Sequence, residues 1–262
     1  MDDHLQGTVA LVTGGGSGIG QAACEAFARA GASVGVVDLR PDPARAVADG
    51  IRAEGGTAIA LTANVADEAA ISAAIEATVA RFGGLHVVFA NAGINGMQTP
   101  IEEMTLDEWH ATIETNLTGT FLTVKHAIPH LRATGGGSII ITSSINGTRF
   151  FSLPGYSCYS SSKAGQVAFA KMAAIELARW DIRVNVILPG GVQTNIQERT
   201  YRRNTERITY DITMPDRYPP LRGHAAAAAE VADLVLFLAS GASRHITGAE
   251  IVIDGAQSLL RG

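Results

Sequence analysis

The sequence has little of what disulfide-rich, membrane-spanning or nucleic-acid-binding proteins require. Its 262 residues include two cysteines, Cys24 and Cys158, which are too few for a disulfide framework and agree with a reducing cytosol. The net charge of −5 argues against the basic surface typical of nucleic-acid-binding proteins. No apolar run reaches the ~18 residues of a membrane-spanning helix, and the N-terminus lacks the basic and apolar regions of a signal peptide. We therefore expect a cytoplasmic protein with neither a membrane nor a nucleic-acid partner.

Apolar residues, in contrast, are plentiful. They make up 47% of the chain against 17% charged residues, enough for one large core in a single domain spanning residues 1–262. Short runs of Val, Ile and Leu, continuous as in strands buried on both faces, alternate with longer Ala-rich stretches. This order predicts an α/β fold with a Rossmann-like, doubly wound parallel sheet of seven strands and helices on both faces. The predicted strands are 9–13, 33–38, 58–62, 87–90, 138–143, 184–188 and 250–253, and the predicted helices are 18–30, 43–54, 68–81, 106–132, 160–179 and 226–238.

One segment, residues 195–224, interrupts this alternation. It is polar, rich in Arg and Tyr and too long for an ordinary connection, so we expect a lid over a binding site. The first four of its arginines are Arg199, Arg202, Arg203 and Arg207. Such a cluster can bind a carboxylate or phosphate. However, the i,i+4 spacing of Glu198/Arg202 and Arg202/Glu206 favours a solvated, ion-paired helix.

A glycine-rich turn, TGGGSGIG at residues 13–20, leads from the first strand into a helix. Glycines let the backbone approach a pyrophosphate, and a helix N-terminus offers free N–H groups to it. Such a turn also connects strand to helix without any ligand, so alone it is weak evidence. Asp38 ends the second strand, where a carboxylate can bind the adenosine ribose hydroxyls and repel a 2′-phosphate. This favours NAD over NADP, and the alternative role for Asp38 is a turn or helix cap.

Tyr159 and Lys163 lie four residues apart, so on a helix the phenol and the ammonium share a face. A nearby ammonium lowers the pKa of a phenol, and a phenol tuned in this way can exchange a proton with an alcohol or carbonyl. The chain has only three lysines and five tyrosines, which makes a chance pair at this spacing improbable. The alternative is a solvated pair on a helix surface.

Together these features resemble the short-chain dehydrogenase/reductase family, in its single-domain form, over essentially the whole chain. The matching motifs are TGGGSGIG at 13–20, NAG at 91–93, Asn116 in NLTGTF, Ser144 in SSING, YSSSK at 159–163, PGGVQT at 189–194, and ITG with DG between 246 and 255. Seven ordered motifs are far more specific than any one of them.

The resemblance implies four catalytic residues. Tyr159 would give or take the proton at the substrate oxygen, Lys163 would lower the Tyr159 pKa and bind the nicotinamide ribose, Ser144 would hydrogen-bond the substrate oxygen, and Asn116 would hold a water that links Lys163 to solvent. Ser143 is a competing candidate for the serine role, because the loop between Ser144 and Tyr159 is about two residues longer than in many members.

The resemblance also implies a dinucleotide site. The predicted cofactor-binding residues are Gly14, Gly16, Ser17, Gly18, Ile19, Gly20, Asp38, Leu39, Asn64, Val65, Asn91, Ala92, Gly93, Tyr159, Lys163, Pro189, Gly190, Val192 and Thr194. Asn64 replaces an Asp that is common beside the adenine. Ser17 stands where members that use NADP often have Arg or Lys, and Arg40 is a possible partner for a 2′-phosphate that Asp38 should outweigh.

On the substrate side we predict Phe151, Tyr156, Gly191 and Tyr201 as lining residues, with ordinary loop packing as the alternative for the aromatic residues. His126 and His130 have the HxxxH spacing of some metal sites, but no Glu follows the first His, so no metal is expected. Cys158 next to Tyr159 is interpreted as a packing residue and not as a reactive thiol.

These patterns predict an NAD-dependent oxidoreductase that interconverts a secondary alcohol, such as a sugar, polyol or other hydroxylated small molecule, and its ketone. The alternative within the family is a reductase of 3-oxoacyl thioesters or similar ketones. The alternative from another class is a dinucleotide-binding regulator without chemistry. The resemblance further implies a homotetramer or homodimer, with helices 106–132 and 160–179 at one interface.

Overall fold

Seven strands form one parallel sheet in the computed structural model, which describes residues 5–151, 153–209 and 219–260. These strands are β1 (Val9–Thr13), β2 (Ser33–Asp38), β3 (Thr57–Thr62), β4 (Val87–Ala90), β6 (Gly137–Thr142), β7 (Ile182–Pro189) and β9 (Glu250–Ile253). Their order in the sheet is β3-β2-β1-β4-β6-β7-β9. The direction of winding reverses between β1 and β4, and ligands of such sheets bind beside the carboxyl ends of the strands at that point.

Helices cover both faces of this sheet. They are α1 (Gly18–Arg29), α2 (Pro41–Ala53), α3 (Glu68–Phe82), α4 (Leu106–Ile113), α5 (Gly119–Ala133), α6 (Ser157–Leu177) and α7 (Ala228–Ala239). One apolar core contains buried residues of α3, α5 and α6, and the other contains those of α1, α2 and α7. Neighbouring strand residues alternate between the cores, with Leu11 in the first and Val12 in the second, which explains why the strand runs are apolar throughout. The predicted doubly wound fold is confirmed.

The predicted helix 106–132 is in fact divided. A π-helical turn, Glu114–Thr118, joins α4 to α5. Within it the backbone carbonyl of Asn116 accepts hydrogen bonds from Thr120 Oγ1 (2.7 Å) and from Gln166 Nε2 of α6 (2.9 Å). Wide turns of this kind occur often at functional sites. Helix α6 begins three residues before its predicted start, so Tyr159 and Lys163 both belong to it.

The lid segment is not an α-helix in its described part. Residues Asn195–Arg199 and Thr205–Arg207 form single 3₁₀ turns. Between them β8 (Thr200–Arg202) pairs in parallel with β5 (Gly96–Gln98) in a separate two-stranded sheet. The interpretation as an ion-paired helix is therefore wrong, because i,i+4 neighbours share a face only in a helix. Residues 210–218 of the predicted lid lie outside the described residues.

No helix in the described part of the chain is both long and apolar enough to cross a membrane.

Candidate active site

A cleft of about 770 Å³ opens at the carboxyl ends of the parallel strands. Its walls come from the glycine turn, the ends of β2, β4, β6 and β7, the start of α6 and the first part of the lid. Most of the predicted cofactor-binding residues line it. They are Gly14, Ser17, Gly18, Ile19, Asp38, Leu39, Asn64, Val65, Asn91, Ala92, Gly93, Tyr159, Lys163, Pro189, Gly190, Val192 and Thr194.

Gly16 and Gly20 do not line the cleft but shape the glycine turn. A Cβ on Gly20 would lie only 2.0 Å from the carbonyl oxygen of Gly14, so α1 could not pack against the turn with any side chain there. Gly18 has a φ of +53°, and a Cβ at this residue would lie 3.1 Å from Thr194 across the cleft. The absent side chains leave the backbone exposed to whatever occupies the cleft.

Asp38 has the predicted turn role and also lies in the wall of the cleft. Its Oδ2 accepts a hydrogen bond from Gly16 N (3.1 Å) and its Oδ1 from Arg40 N (3.1 Å), so the carboxylate orders two turns. The residue also lines the cleft. Arg40 lies 3.8 Å from the Glu198 carboxylate of the lid, and this ion pair joins the loop after β2 to the lid.

Asn91 ties three strand ends together. Its Nδ2 donates to the carbonyl oxygen of Thr13 (3.3 Å), its backbone N–H donates to Thr13 Oγ1 (3.1 Å), and its Oδ1 accepts from Thr142 Oγ1 (3.0 Å). Asn64 instead orders its own loop, because its Oδ1 accepts from Ala66 N at 3.1 Å. Both amides therefore shape the backbone of the cleft as well as lining it.

Tyr159, Lys163 and Ser144 meet at the inner end of the cleft. Ser144 lies beside the Tyr159 hydroxyl and lowers the pKa of this phenol, and Lys163 Nζ lies 5.6 Å from the centre of the Tyr159 ring. Lys163 Nζ donates to the carbonyl oxygen of Thr142, the last residue of β6, at 2.9 Å. All three catalytic candidates are buried, yet they line the cleft.

The two competing serines have different partners. Ser143 Oγ donates to the carbonyl oxygen of Lys163 at 2.8 Å, so its hydroxyl is engaged with the α6 backbone. Ser144 Oγ accepts a hydrogen bond from Asn146 N at 3.2 Å, and Ser144 is the serine that lies beside the Tyr159 hydroxyl and lowers its pKa. This geometry favours Ser144 for a contact with a substrate oxygen.

Burial sets the pKa values of this group. Removal from water raises the pKa of Tyr159 to about 12, and the hydrogen bond from Ser144 opposes this only in part. Burial likewise lowers the pKa of Lys163 to about 7. The expected lowering of the Tyr159 pKa by Lys163 is therefore not seen in this structure, because desolvation is the larger effect and it also disfavours the charged form of Lys163.

Asn116 is fully buried behind the cleft and does not line it. Its Oδ1 accepts from Ile94 N (2.8 Å), while its Nδ2 donates to the Ile94 carbonyl oxygen (2.9 Å) and to Ser162 Oγ (3.0 Å). The side chain thus clamps the loop after β4 to α6. Gly93 lies beside this clamp, and a Cβ there would be 3.2 Å from Asn116 Oδ1 and 3.4 Å from Lys163 Nζ.

Two of the four predicted substrate residues, Tyr156 and Gly191, line the cleft. Phe151 and Tyr201 do not, and their side chains are 68% and 57% exposed. Side chains alternate along a strand, so in β8 Tyr201 faces away from Arg202, which lines the cleft. Phe151 borders a separate cavity of about 130 Å³ that Tyr156 also lines.

Sequence reasoning missed several residues of the substrate end. The residues missed are Asn95, Gln98, Ile145, Asn146 and Gln257, which all line the cleft. The cleft is also lined by Phe150 and Leu153 of the loop before Tyr159 and by Arg199 and Arg202 of the predicted lid. Gln257, from the C-terminal segment, accepts a hydrogen bond from Gly191 N at 2.9 Å. Only the polarity of the lid and the aromatic residues before Tyr159 pointed to this region, since the other contributors come from distant parts of the chain.

The four predicted lid arginines fall into two pairs with different surroundings. Arg203 forms a two-bond ion pair with Glu108 of α4 (2.7 and 2.9 Å), and Arg207 pairs with Glu103 (2.6 Å). Arg199 and Arg202 line the cleft. Among the described residues, no group of three or more His, Cys, Asp or Glu side chains could hold a metal ion.

A doubly wound sheet with a glycine turn at its switch point, and a Ser–Tyr–Lys group in the same cleft, defines a dinucleotide-dependent oxidoreductase. The family model for short chain dehydrogenases matches residues 8–205, and the chain belongs to this family. It is an oxidoreductase that interconverts a secondary alcohol and its ketone with a nicotinamide cofactor.

Similar proteins support this assignment. Cyclohexanol dehydrogenase of Acinetobacter sp. (strain SE19) is 35% identical, with 98% of this chain and 97% of that protein covered. Trans-4-hydroxycyclohexanecarboxylate dehydrogenase of Sinomonas cyclohexanicum is 37% identical, with 98% and 95% covered. The crystal structure of a 3-ketoacyl-ACP reductase from Sinorhizobium meliloti 1021 has a TM-score of 0.92 and 43% identity, with 97% and 100% covered.

Proposed function

We propose that this protein oxidises a hydroxylated small molecule, such as a sugar, polyol or cyclic alcohol, with NAD as the hydride acceptor. The observation that carries the proposal is that the buried side chains of Tyr159, Ser144 and Lys163 line the same cleft as the glycine turn and Asp38. Relatives named for cyclohexanol and trans-4-hydroxycyclohexanecarboxylate support an alcohol substrate.

In this mechanism the deprotonated form of Tyr159 accepts the proton of the substrate hydroxyl, and Ser144 donates a hydrogen bond to the same oxygen. Burial excludes water from both groups, which strengthens their interaction with charge that develops on the substrate oxygen. Lys163, whose Nζ donates to the Thr142 carbonyl oxygen, would hydrogen-bond the ribose of the cofactor. The Asn116 clamp positions the loop after β4 against α6.

The residues present fit a dinucleotide. Backbone N–H groups at the bare glycine turn would hold the pyrophosphate, Asp38 the adenosine ribose, Asn64 and Val65 the adenine, and Val192 and Thr194 the carboxamide. When bound, the nicotinamide ring supplies the hydride acceptor. NAD is favoured over NADP because Asp38 would repel a 2′-phosphate, while Glu198 already engages Arg40 at 3.8 Å.

The experiment that tests the proposal follows NADH formation from NAD across a panel of cyclic and linear secondary alcohols and polyols, with Tyr159→Phe run in parallel. We expect turnover in the wild type and a loss of about 10²-fold or more in the variant. Turnover that survives in Tyr159→Phe would refute the proton-transfer role. Cofactor binding without turnover of any alcohol would favour the non-catalytic alternative.

A second candidate function is reduction of 3-oxoacyl thioesters. The observation in its favour is the similarity to the 3-ketoacyl-ACP reductase from Sinorhizobium meliloti 1021. It predicts consumption of NADPH with an acetoacetyl thioester, at an efficiency above that of any alcohol with NAD. That result would overturn the NAD and oxidation parts of the proposal and leave the Tyr159 mechanism in place.

The proposal also covers the oligomeric state of the protein and its cellular compartment. Phe121 of α5 and Met172 and Ile175 of α6 are exposed apolar side chains, which supports a homodimer or homotetramer built on these helices. Both cysteines are free, in keeping with a cytoplasmic location. Residues 195–224 act as the substrate lid of one catalytic domain.

A further inference from the structure

Two lid arginines, Arg199 and Arg202, line the cleft. Within the described part of the chain, Arg199 and Arg202 form no ion pair. Arg203 and Arg207 differ, since both are paired with glutamates of the segment around α4 and neither lines the cleft. The lid therefore separates arginines that fix its position from arginines that are available to a ligand.

Gln98 holds Arg202 in place. The two residues are opposite each other in the β5–β8 pair, and Arg202 Nε donates to Gln98 Oε1 at 3.0 Å. This bond occupies the Nε edge of the guanidinium and leaves Nη1 and Nη2 for a ligand. Gln98 is 98% buried, lines the cleft, and its Nε2 has no hydrogen-bond partner among the described residues. The amide N–H group of Gln98 therefore remains available to an acceptor oxygen of a ligand.

The position of Arg202 is also fixed relative to the reacting group. Thr200, two residues earlier, accepts a hydrogen bond from buried Asn95 at 2.8 Å, and Arg203, one residue later, is anchored on α4. On the other side, Thr99 N donates to the carbonyl oxygen of Gly155, four residues before Tyr159, at 3.4 Å. A ligand bound by Arg202 would be held within a preorganised frame that includes the start of α6.

The charges nearby leave the site positive. Glu198 is paired with Arg40, and Glu206 is the remaining carboxylate of this part of the lid that lines the cleft. A single glutamate cannot neutralise both Arg199 and Arg202. A planar fork with two free donor nitrogens matches the two oxygens of a carboxylate.

We infer that Arg202, positioned by Gln98 and assisted by Arg199, binds a carboxylate of the substrate, so that the substrate class is a hydroxy acid whose secondary hydroxyl meets Tyr159. This rests on the proposed function and narrows its substrate class. The carboxylate would occupy the lid end of the cleft while the hydroxyl reaches the inner end, which requires several bonds between the two groups.

The test compares a charged and a neutral ligand of nearly equal shape. Cyclohexanecarboxylate and cyclohexylmethanol are titrated calorimetrically into the NADH-loaded protein, in the wild type, Arg202→Gln, Gln98→Glu and Arg207→Gln. We expect the wild type to bind the carboxylate ~10–100-fold more tightly than the alcohol. Arg202→Gln should remove this difference and leave binding of the alcohol unchanged. Gln98→Glu should reduce it, because the new carboxylate pairs with Arg202.

Arg207→Gln is the matched control, since it removes a positive charge from the same lid outside the cleft. It should keep the preference for the carboxylate. Equal affinity for the two ligands in the wild type, no binding of the carboxylate, or a preference that survives in Arg202→Gln would each overturn the inference.

Kinetics separate this inference from the function on which it rests. With trans-4-hydroxycyclohexanecarboxylate, Arg202→Gln should raise KM with little change in kcat, as expected for loss of uniform binding. A merely structural role would lower kcat for neutral alcohols as well. Neutral alcohols oxidised as efficiently as the hydroxy acid would refute the anion site and leave the proposed oxidation standing. Binding that depends on Arg202, with no alcohol oxidised at all, would refute the function instead.

Discussion

At the scale of single residues, the balance between desolvation and hydrogen bonding decides how Tyr159 can work. Its burial raises the pKa to about 12, and the hydrogen bond with Ser144 recovers only part of this shift. Lys163, with its pKa lowered to about 7, is close to half neutral at physiological pH. A phenol in this state is protonated at neutral pH and is therefore present in the donor form, whereas its use as a proton acceptor depends strongly on pH.

This balance gives the first prediction, which concerns the pH dependence of oxidation. The base form of Tyr159 increases tenfold per pH unit below its pKa, so log kcat/KM for oxidation should rise with a slope of about 1 between about pH 7 and 9. Ketone reduction uses the protonated phenol and should lack this rise. Initial rates in both directions, with circular dichroism to confirm folding at each pH, test it. A plateau near neutral pH would show that charges in the loaded site lower the pKa after all.

A second prediction concerns Asp38. Asp38→Asn keeps one acceptor oxygen for the Gly16 N–H but removes the negative charge, so the ratio of kcat/KM for NAD to that for NADP should fall ~10-fold or more. Asp42→Asn on the exposed start of α2 is the control, because Asp42 does not line the cleft. An unchanged ratio in Asp38→Asn would mean that the carboxylate serves only to order the two turns.

At the scale of elements, the sequence predicted what depends on local pattern and missed what depends on distant partners. The five inner strands were recognisable because they are buried on both faces, and the edge strands β3 and β9, which are only partly buried, because their runs are still apolar. The π turn was not, because Asn116 is held there by Gln166 of α6, 50 residues away. Strands β5 and β8 have three residues each, and only their pairing across about 100 residues of chain creates them. The same pairing turns Tyr201 out of the cleft and Arg202 into it.

The third prediction concerns the attachment of the lid to α4. The Arg203 guanidinium and the Thr105 backbone N–H hold the pKa of Glu108 at about 2, below its ordinary value of 4.5. A lowered pKa means that the stabilisation is present above about pH 4.5 and is lost as the pH falls through about 2. Glu108→Gln should lower Tm by ~2–4 °C near pH 6, for a loss of about 1 kcal/mol, and by less as the pH falls below 4.

Glu102→Gln serves as the control for this measurement, since Glu102 is exposed in the same segment. Thermal melts of the three proteins at a series of pH values give the comparison. A difference between the wild type and Glu108→Gln that stayed constant down to pH 2 would show that the ion pair with Arg203 is not its source.

At the scale of the whole molecule, the exposed apolar face of α5 and α6 is the main feature that a single chain leaves uncovered. Our fourth prediction is that Met172→Glu combined with Ile175→Glu lowers the molar mass in solution from a dimer or tetramer towards the single chain, because burying carboxylates in an apolar interface is costly. Ile101→Glu, a change of another exposed apolar residue, should leave the mass unchanged. Light scattering after size exclusion measures it, and a wild type that is already monomeric would refute the proposed assembly.

The Arg40–Glu198 ion pair links the lid to the cofactor side of the cleft, and the strength of this link depends on the salt concentration. It joins the loop after β2 to the lid, and both side chains are more than half exposed, so it is worth at most about 1 kcal/mol and is screened by salt. Added salt should therefore loosen this link and speed the departure of the reduced dinucleotide. If that departure limits turnover, the enzyme will run faster in moderate salt than in dilute buffer, and neutralising Glu198 will remove the effect.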